Sequence, residues 1–142
     1  MRFDEQIAQA EMVTDETFAP QTAAAVIERI QVQDLTEQEL EKLPFGAIQL
    51  DTNGRIQRFN GYESQISGVS KEQAIGKLFF TEIAPCTNVK EFYGRFKEGV
   101  ARKRLHEKFR YHYSFKHNPM DVTITLFYSD LTQSIWVFVR PV

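Results

Sequence analysis

Apolar and polar residues alternate along several short stretches of the chain, which predicts a protein rich in β-strands. The strictest alternation lies in residues 106–116, where one face carries Phe109, Tyr111, Tyr113 and Phe115. Further strands are predicted at residues 45–51, 55–60, 121–128 and 134–139. The last two are apolar or neutral on both faces, so we expect both faces of the sheet to be covered.

Helix signals lie before and between these strands. Two capping boxes, Thr36 with Glu39 and Ser70 with Gln73, predict helices that begin at residues 37 and 71. Apolar positions at helical spacing and a closing Gly68 predict further helices at residues 22–30, 61–68 and 89–103. The first two strands flank Thr52-Asn53-Gly54, whose Asn-Gly pair is expected to supply the positive φ values of a tight turn.

The order of these elements predicts an α+β protein with a five-stranded antiparallel sheet and short helices on one face. Residues 1–43 are more polar than the rest and are expected to form an N-terminal helical cap on the other face. Residues 44–142 would then form the core domain. Two strands, several short helices and three strands resemble the PAS fold, which hosts many ligands and therefore does not indicate one function.

Composition narrows the class of protein. The 142 residues are 42% hydrophobic and 25% charged, which is typical of one soluble domain. A net charge of −2 with mixed signs gives no reason to expect binding to nucleic acid or to an anionic membrane. With a polar start, no long apolar run and one cysteine, we expect a cytoplasmic monomer with no disulfide.

The single cysteine, Cys86, lies in an apolar stretch that runs from Phe79 to Thr87. Two phenylalanines and Ile83 would bury the thiol, Pro85 removes a backbone donor before it, and Thr87 offers a hydroxyl after it. A buried thiol is usually a small packing residue. The stretch by itself therefore does not distinguish an inert cysteine from a functional one.

Several runs closely resemble the photoactive yellow protein family: residues 44–51, 75–80, 84–87, 91–101 and 136–139. The most specific are Ala-Pro-Cys-Thr at 84–87 and Glu-Phe-Tyr-Gly-x-Phe-Lys-Glu-Gly-Val at 91–100. The likeness extends over residues 43–142 without gaps, and the N-terminal segment matches only as a helical cap. The resemblance implies a blue-light photoreceptor, not an enzyme, with p-coumaric (4-hydroxycinnamic) acid joined as a thioester to Cys86.

The resemblance also implies roles for other residues. Glu63 falls on the position of a glutamic acid that binds the buried phenolate of the chromophore and later releases its proton. Without the resemblance, a glutamate in a short helix would be expected in solvent. The pocket is expected to be lined by Ile48, Phe79, Ile83, Ala84, Pro85, Thr87, Tyr111, Tyr113 and Phe115.

Four positions of the expected pocket depart from the family pattern. Phe59 stands in place of the phenolate-binding tyrosine and has no hydroxyl to donate, so we expect a raised chromophore pKa and a red-shifted band. Ser67 replaces a supporting threonine, Val69 a gating arginine and His117 a methionine. His117 is expected on the strand face of Tyr111, where it would either approach the chromophore ring or point to water.

Two other classes of function remain open. A PAS interaction or ligand-sensing module without photochemistry would explain the missing tyrosine and arginine, but it would not need Cys86 and Glu63 together. A thiol enzyme would use Cys86 with one of the histidines at 106, 112 and 117 as base, yet nothing in the sequence orients them. There is no phosphate-binding glycine loop or metal-ligand cluster.

Under the photoreceptor hypothesis, the N-terminal cap is expected to be the output element, which would signal to a downstream protein of unknown identity.

Overall fold

The fold is a five-stranded antiparallel sheet with helices on both faces, as described by a computed structural model for residues 18–142. The strands are β1 Gly46–Leu50, β2 Ile56–Phe59, β3 His106–Tyr113, β4 Met120–Ser129 and β5 Ser134–Pro141. Their order across the sheet is β2-β1-β5-β4-β3, and every neighbouring pair is antiparallel. The predicted α+β class and sheet are therefore confirmed.

In residues 18–142 five short α-helices accompany the sheet: α1 Ala23–Ile30, α2 Glu37–Glu41, α3 Gly61–Ser67, α4 Lys71–Ala74 and α5 Arg95–Arg102. Both predicted capping boxes form, with Thr36 and Glu39 bonded reciprocally at 3.1 and 2.9 Å before α2. Between α4 and α5 the chain makes a π-helical turn, a 3-10 turn and a second π-helical turn, at Phe79–Ile83, Pro85–Thr87 and Lys90–Gly94.

The inner face of the sheet packs against the helices and turns that connect β2 to β3. This core is aromatic at its centre and aliphatic along the strands. Rings at its centre meet edge to face, with centroids 5.5 Å apart for Phe80 and Phe92 and also for Phe92 and Phe109. The fully buried side chains here include Phe59, Phe79, Phe92, Tyr113, Ile48, Leu50, Ile124, Leu126 and Val137.

The outer face of the sheet is covered by the segment from residue 18 to residue 43. Its apolar side chains, Val26, Ile27, Ile30, Leu35, Leu40 and Leu43, form a second core with Phe45, Ala47, Phe127, Trp136 and Phe138. The segment 18–43 thus lies on the face of the sheet where the N-terminal cap was predicted. Residues 1–17 of the predicted cap lie outside the described residues. Within residues 18–142 no helix is long and apolar enough to span a bilayer.

The predicted third strand is too long. β3 ends at Tyr113, and the N–H of Asn118 donates to the carbonyl of Phe115 at 3.1 Å, which closes a turn. His117 therefore lies in this turn and not on the strand face of Tyr111, because alternation of side chains ends where the extended backbone ends.

Two further local predictions were wrong in detail. Residues 89–103 do not form one α-helix, since a π-helical turn precedes α5 and Lys103 ends it at φ 54°. In the first hairpin Gly54 has positive φ, at 89°, but Asn53 does not. The carboxylate of Asp51 organises this loop by accepting hydrogen bonds from the N–H groups of Asn53 and Arg55 at 2.8 and 2.9 Å.

Candidate functional site

Most of the predicted site residues meet in or against the inner core. Five belong to the buried core itself: Ile48, Phe59, Phe79, Ala84 and Tyr113. Five more are half-buried and pack against it: Val69, Ile83, Cys86, Tyr111 and Phe115. The structure therefore brings the cysteine to the edge of a core that contains several aromatic rings.

Cys86 lies in the middle of the 3-10 turn, which is held from two sides. The hydroxyl of Thr87 donates to the carbonyl of Ala84 at 2.6 Å and is fully buried. From β3, the hydroxyl of Tyr111 donates to the carbonyl of Cys86. Cys86 is half-buried and forms no disulfide. These two hydrogen bonds hold the backbone on both sides of its side chain.

Glu63, in the first turn of α3, is 0% exposed. Neither of its carboxyl oxygens has a hydrogen-bond partner within residues 18–142. Burial raises the pKa of Glu63 well above its ordinary value of 4.5. Glu63 is thus not the solvated carboxylate that its helix would suggest, and it holds its proton to higher pH than an exposed glutamate.

Gly46, the first residue of β1, leaves the space that the Glu63 carboxyl uses. A Cβ atom at Gly46 would lie 2.1 Å from Oε1 of Glu63 and 3.3 Å from its Cβ. No side chain larger than hydrogen fits there while the carboxyl keeps its place. From the sequence Gly46 is predicted only to lie in a strand, and no local signal marks this contact.

Gly46→Ala is expected to lower the free energy of unfolding by about 1–3 kcal/mol because the carboxyl must move. The loss, measured by urea denaturation, should be clearly smaller in a Glu63→Ala background. Gly94→Ala is the matched control: an added Cβ would lie 3.4 Å from Lys90 Cγ and the backbone is helical. Equal losses from Gly46→Ala in both backgrounds would contradict this account.

Tyr113, at the end of β3, is also fully buried. Its hydroxyl has no hydrogen-bond partner within the described part of the chain. Burial raises the pKa of Tyr113 well above its ordinary value, and the charges of Glu63 and Cys86 raise it further. Among residues 18–142, Glu63 and Tyr113 therefore carry three buried polar side-chain atoms without a hydrogen-bond partner.

The four positions predicted to depart from the family pattern lie in different environments, and Val69 is the half-buried one among them. Phe59 is fully buried and presents only carbon to the core. Ser67 is buried, and its hydroxyl accepts a hydrogen bond from the N–H of Val69 at 3.2 Å. His117 is exposed and lies over Gly68, where an added Cβ would be 2.6 Å from its ring. Among the other predicted site residues, Pro85 is exposed as well.

The three histidines have other neighbours than Cys86. His112 lies 2.8 Å from the carboxylate of Asp121, the His106 ring packs 5.7 Å from that of Phe127, and the His117 ring 6.3 Å from that of Phe115. No contact found for them in residues 18–142 orients an imidazole toward the thiol. The arrangement that a thiol enzyme needs is therefore not supported.

Asn60 was predicted as the last residue of the second strand but instead caps α3. Its Oδ1 accepts hydrogen bonds from the N–H groups of Ala47 and Glu63, both at 3.0 Å. Its Nδ2 donates to the carbonyls of Leu40 and Phe45 at 3.1 and 3.0 Å. One fully buried amide thus joins the helix of Glu63 to β1 and to the cap. Asn before a helix start is a common N-cap signal that sequence reasoning overlooked.

A wide surface groove of about 1280 Å³ lies apart from this site. Its lining comes mainly from α5, the start of β3 and the loop after β4, and it includes none of the predicted site residues. Charges of both signs, including Arg95, Arg102, Glu98 and Glu107, line it. The groove therefore presents no coherent charge to one class of ligand.

Comparisons with known proteins agree with the fold. A family model described as PAS fold matches residues 34–142. The photoactive yellow protein of Halochromatium salexigens is 40% identical over 107 residues, which cover 75% of this chain and 86% of that protein. The photoactive yellow protein of Rhodothalassium salexigens is 40% identical over 109 residues, or 77% of this chain and 87% of that protein.

A solved structure is similar to this chain in both sequence and fold. The photoactive yellow protein domain from the sensor histidine kinase Ppr of Rhodospirillum centenum is 42% identical. Its TM-score is 0.71, and the match covers 75% of this chain and 93% of that domain.

Proposed function

Because the chain belongs to the photoactive yellow protein family of PAS domains, we propose that it is a blue-light photoreceptor with p-coumaric acid joined as a thioester to Cys86. The observation that carries the proposal is the set of three buried, unpaired polar atoms on Glu63 and Tyr113, in the core against which Cys86 packs. A buried polar atom without a partner costs about 1–3 kcal/mol, so such atoms call for an explanation. A buried phenolic group would provide one.

The residues of the site fit this chromophore by their chemistry. A thiol is the group among these side chains that forms a thioester, and an aromatic surround suits a flat phenolic ring. When bound, the p-coumaroyl group supplies absorption of blue light and trans-cis isomerisation. The protein supplies a half-buried thiol at Cys86 and a proton donor at Glu63.

Glu63 holds its proton in the dark because burial disfavours its charged form. If the phenolate oxygen of a bound chromophore took this proton after illumination, Glu63 would be left as a carboxylate where 0% of the residue is exposed. An unpaired buried charge costs several kcal/mol, more than most single contacts in a domain contribute. The structure around Glu63 is then expected to rearrange until the carboxylate reaches water or a cation.

The cap is the proposed output element because its second helix, α2, is tied to α3, which carries Glu63, and to α4. The Leu40 carbonyl is held by Asn60, and the Glu41 carboxylate accepts from the N–H of Gly61 at 2.8 Å. Lys71 at the start of α4 pairs with Glu37 and Glu41, both at 2.7 Å. Movement of α3 would therefore loosen α2 first, and a downstream signalling protein would recognise the altered cap.

Reconstitution tests the proposed function. Wild-type protein mixed with activated p-coumaric acid is expected to develop a visible absorption band and to gain the mass of one p-coumaroyl group. Cys86→Ser should show neither change, because its hydroxyl does not form the thioester. Its unfolding midpoint should stay near that of wild type, which shows that the fold is intact.

A wild type that acquires no band and no adduct would refute the photoreceptor and would favour a ligand-sensing PAS module without photochemistry. A Cys86→Ser protein that still acquires one p-coumaroyl group would place the attachment at another residue.

A further inference from the structure

Tyr113 carries a hydroxyl in the inner core, whereas the side chain of Phe59 has none. Phe59 is fully buried and has no polar atom in its side chain, so it donates no hydrogen bond in the pocket. Tyr113 is equally buried, and its hydroxyl has no partner anywhere in residues 18–142. Buried hydroxyls in native proteins are almost always bonded, so this one is expected to serve a group that binds in the core.

The neighbouring tyrosine on β3 shows why Tyr113 is the available donor. Tyr111 and Tyr113 point to the same face of the sheet, two residues apart, with ring centroids 6.4 Å apart. The hydroxyl of Tyr111 is already used by the carbonyl of Cys86 and is half-buried. The Tyr113 hydroxyl is buried and has no hydrogen-bond partner in the part of the chain that the structure describes.

Tyr113 lies in the same buried core as Phe59 and Ala84, and Cys86 packs against that core. Besides burial, the charges of Glu63 and Cys86 both raise the pKa of its hydroxyl. Tyr113 therefore stays protonated across the ordinary pH range and can donate a hydrogen bond but not carry a charge of its own.

We infer that Tyr113 is the second hydrogen-bond donor, beside Glu63, to the phenolic oxygen of the chromophore, in place of the hydroxyl that Phe59 does not provide. This inference rests on the proposed function, since it concerns the same pocket. It changes the expectation drawn from Phe59 alone: the phenolate is held by two donors, and its pKa is not raised as far as the loss of one donor would predict.

The test is a pH titration of the visible band in reconstituted variants. Tyr113→Phe should raise the chromophore pKa by about one unit or more, a tenfold change in proton affinity. Phe59→Tyr in the Tyr113→Phe background should bring the pKa back toward wild type, because it returns a hydroxyl to the pocket. Tyr128→Phe, which alters another buried tyrosine on β4, should leave the pKa unchanged.

A second measurement separates ligand binding from a purely structural role. Without chromophore, Tyr113→Phe should be as stable to urea as wild type or more stable, since it removes an unpaired buried hydroxyl. With chromophore, Tyr113→Phe should be less stable than loaded wild type. Tyr113→Leu also lacks the hydroxyl and should raise the chromophore pKa in the same direction.

The outcomes are distinguishable. A wild type that loads, together with an unchanged chromophore pKa in Tyr113→Phe, would overturn this inference and leave the proposed function standing. Equal losses of stability with and without chromophore would also overturn it, because the hydroxyl would then be structural. A wild type that does not load at all would overturn both.

Discussion

Replacing Glu63 with glutamine is expected to remove a large part of the pH dependence of this protein's stability without chromophore. Burial raises the pKa of Glu63 above its ordinary value of 4.5 in the folded state. Below pH 4.5 Glu63 keeps its proton in both the folded and the unfolded protein, and its contribution to the free energy of unfolding is fully present. As pH rises toward the folded pKa, the unfolded chain releases the proton first and stability falls, by about 1.4 kcal/mol for each unit of the pKa difference.

Urea denaturation at a series of pH values measures this effect. In wild type the free energy of unfolding should fall continuously from pH 4.5 up to the raised pKa of Glu63. In Glu63→Gln this fall should be absent, because the amide does not titrate. Glu72→Gln, at an exposed position of α4, is the matched control and should follow the wild-type profile. If the wild-type and Glu63→Gln profiles run parallel, the carboxyl does not titrate as its burial requires.

Asn60→Ala should produce the second large effect, a loss of about 3 kcal/mol or more in the free energy of unfolding. The substitution removes four hydrogen bonds of a fully buried amide and leaves the N–H groups of Ala47 and Glu63 without that acceptor. This is a large share of the 5–15 kcal/mol that stabilises an ordinary domain.

The same variant tests the proposed route from Glu63 to the cap. In reconstituted wild type, limited trypsin digestion after Arg29 and Lys42 should be faster in light than in darkness. In Asn60→Ala, digestion should already be fast in darkness, and the difference between light and dark should shrink, because the amide no longer joins α3 to Leu40.

Gln49→Ala is the control for general instability. Gln49 is also a buried amide, but its Nε2 donates to Ser134 at 2.7 Å, near the start of β5, and not to the cap. The two variants should be compared in urea concentrations at which their global stabilities match. Equally fast cleavage of the cap in both would show that loss of stability alone explains the result, and it would remove Asn60 from the route.

Features set by neighbours along the chain could be predicted from sequence. The capping box at Thr36 and Glu39 forms because both bonds lie within one helical turn. Gly68 ends α3 at φ 75°, a backbone angle that glycine adopts readily. The inward side of β3 follows from the period of two in an extended strand. Each of these depends on residues only a few positions apart.

The errors occurred where a backbone hydrogen bond or a distant contact decided the outcome. His117 left the strand face because a turn closes between Phe115 and Asn118. Asn53 did not need positive φ because the Asp51 carboxylate already holds the loop. Asn60 looked like the end of a strand, and its role depends on partners that lie up to twenty positions away in sequence.

The order of residues along the chain was enough to predict the α+β class and the five strands, and its runs around Cys86 indicated the family on which the proposed chromophore rests. It also showed that Phe59 brings no hydroxyl. Three features became visible in the folded protein: Glu63 is buried with no partner for its carboxyl within residues 18–142, Gly46 leaves space for that carboxyl, and the Tyr113 hydroxyl is buried with no partner in the same residues. Burial and pairing depend on side chains that meet across the sheet from distant parts of the chain, so no local pattern records them.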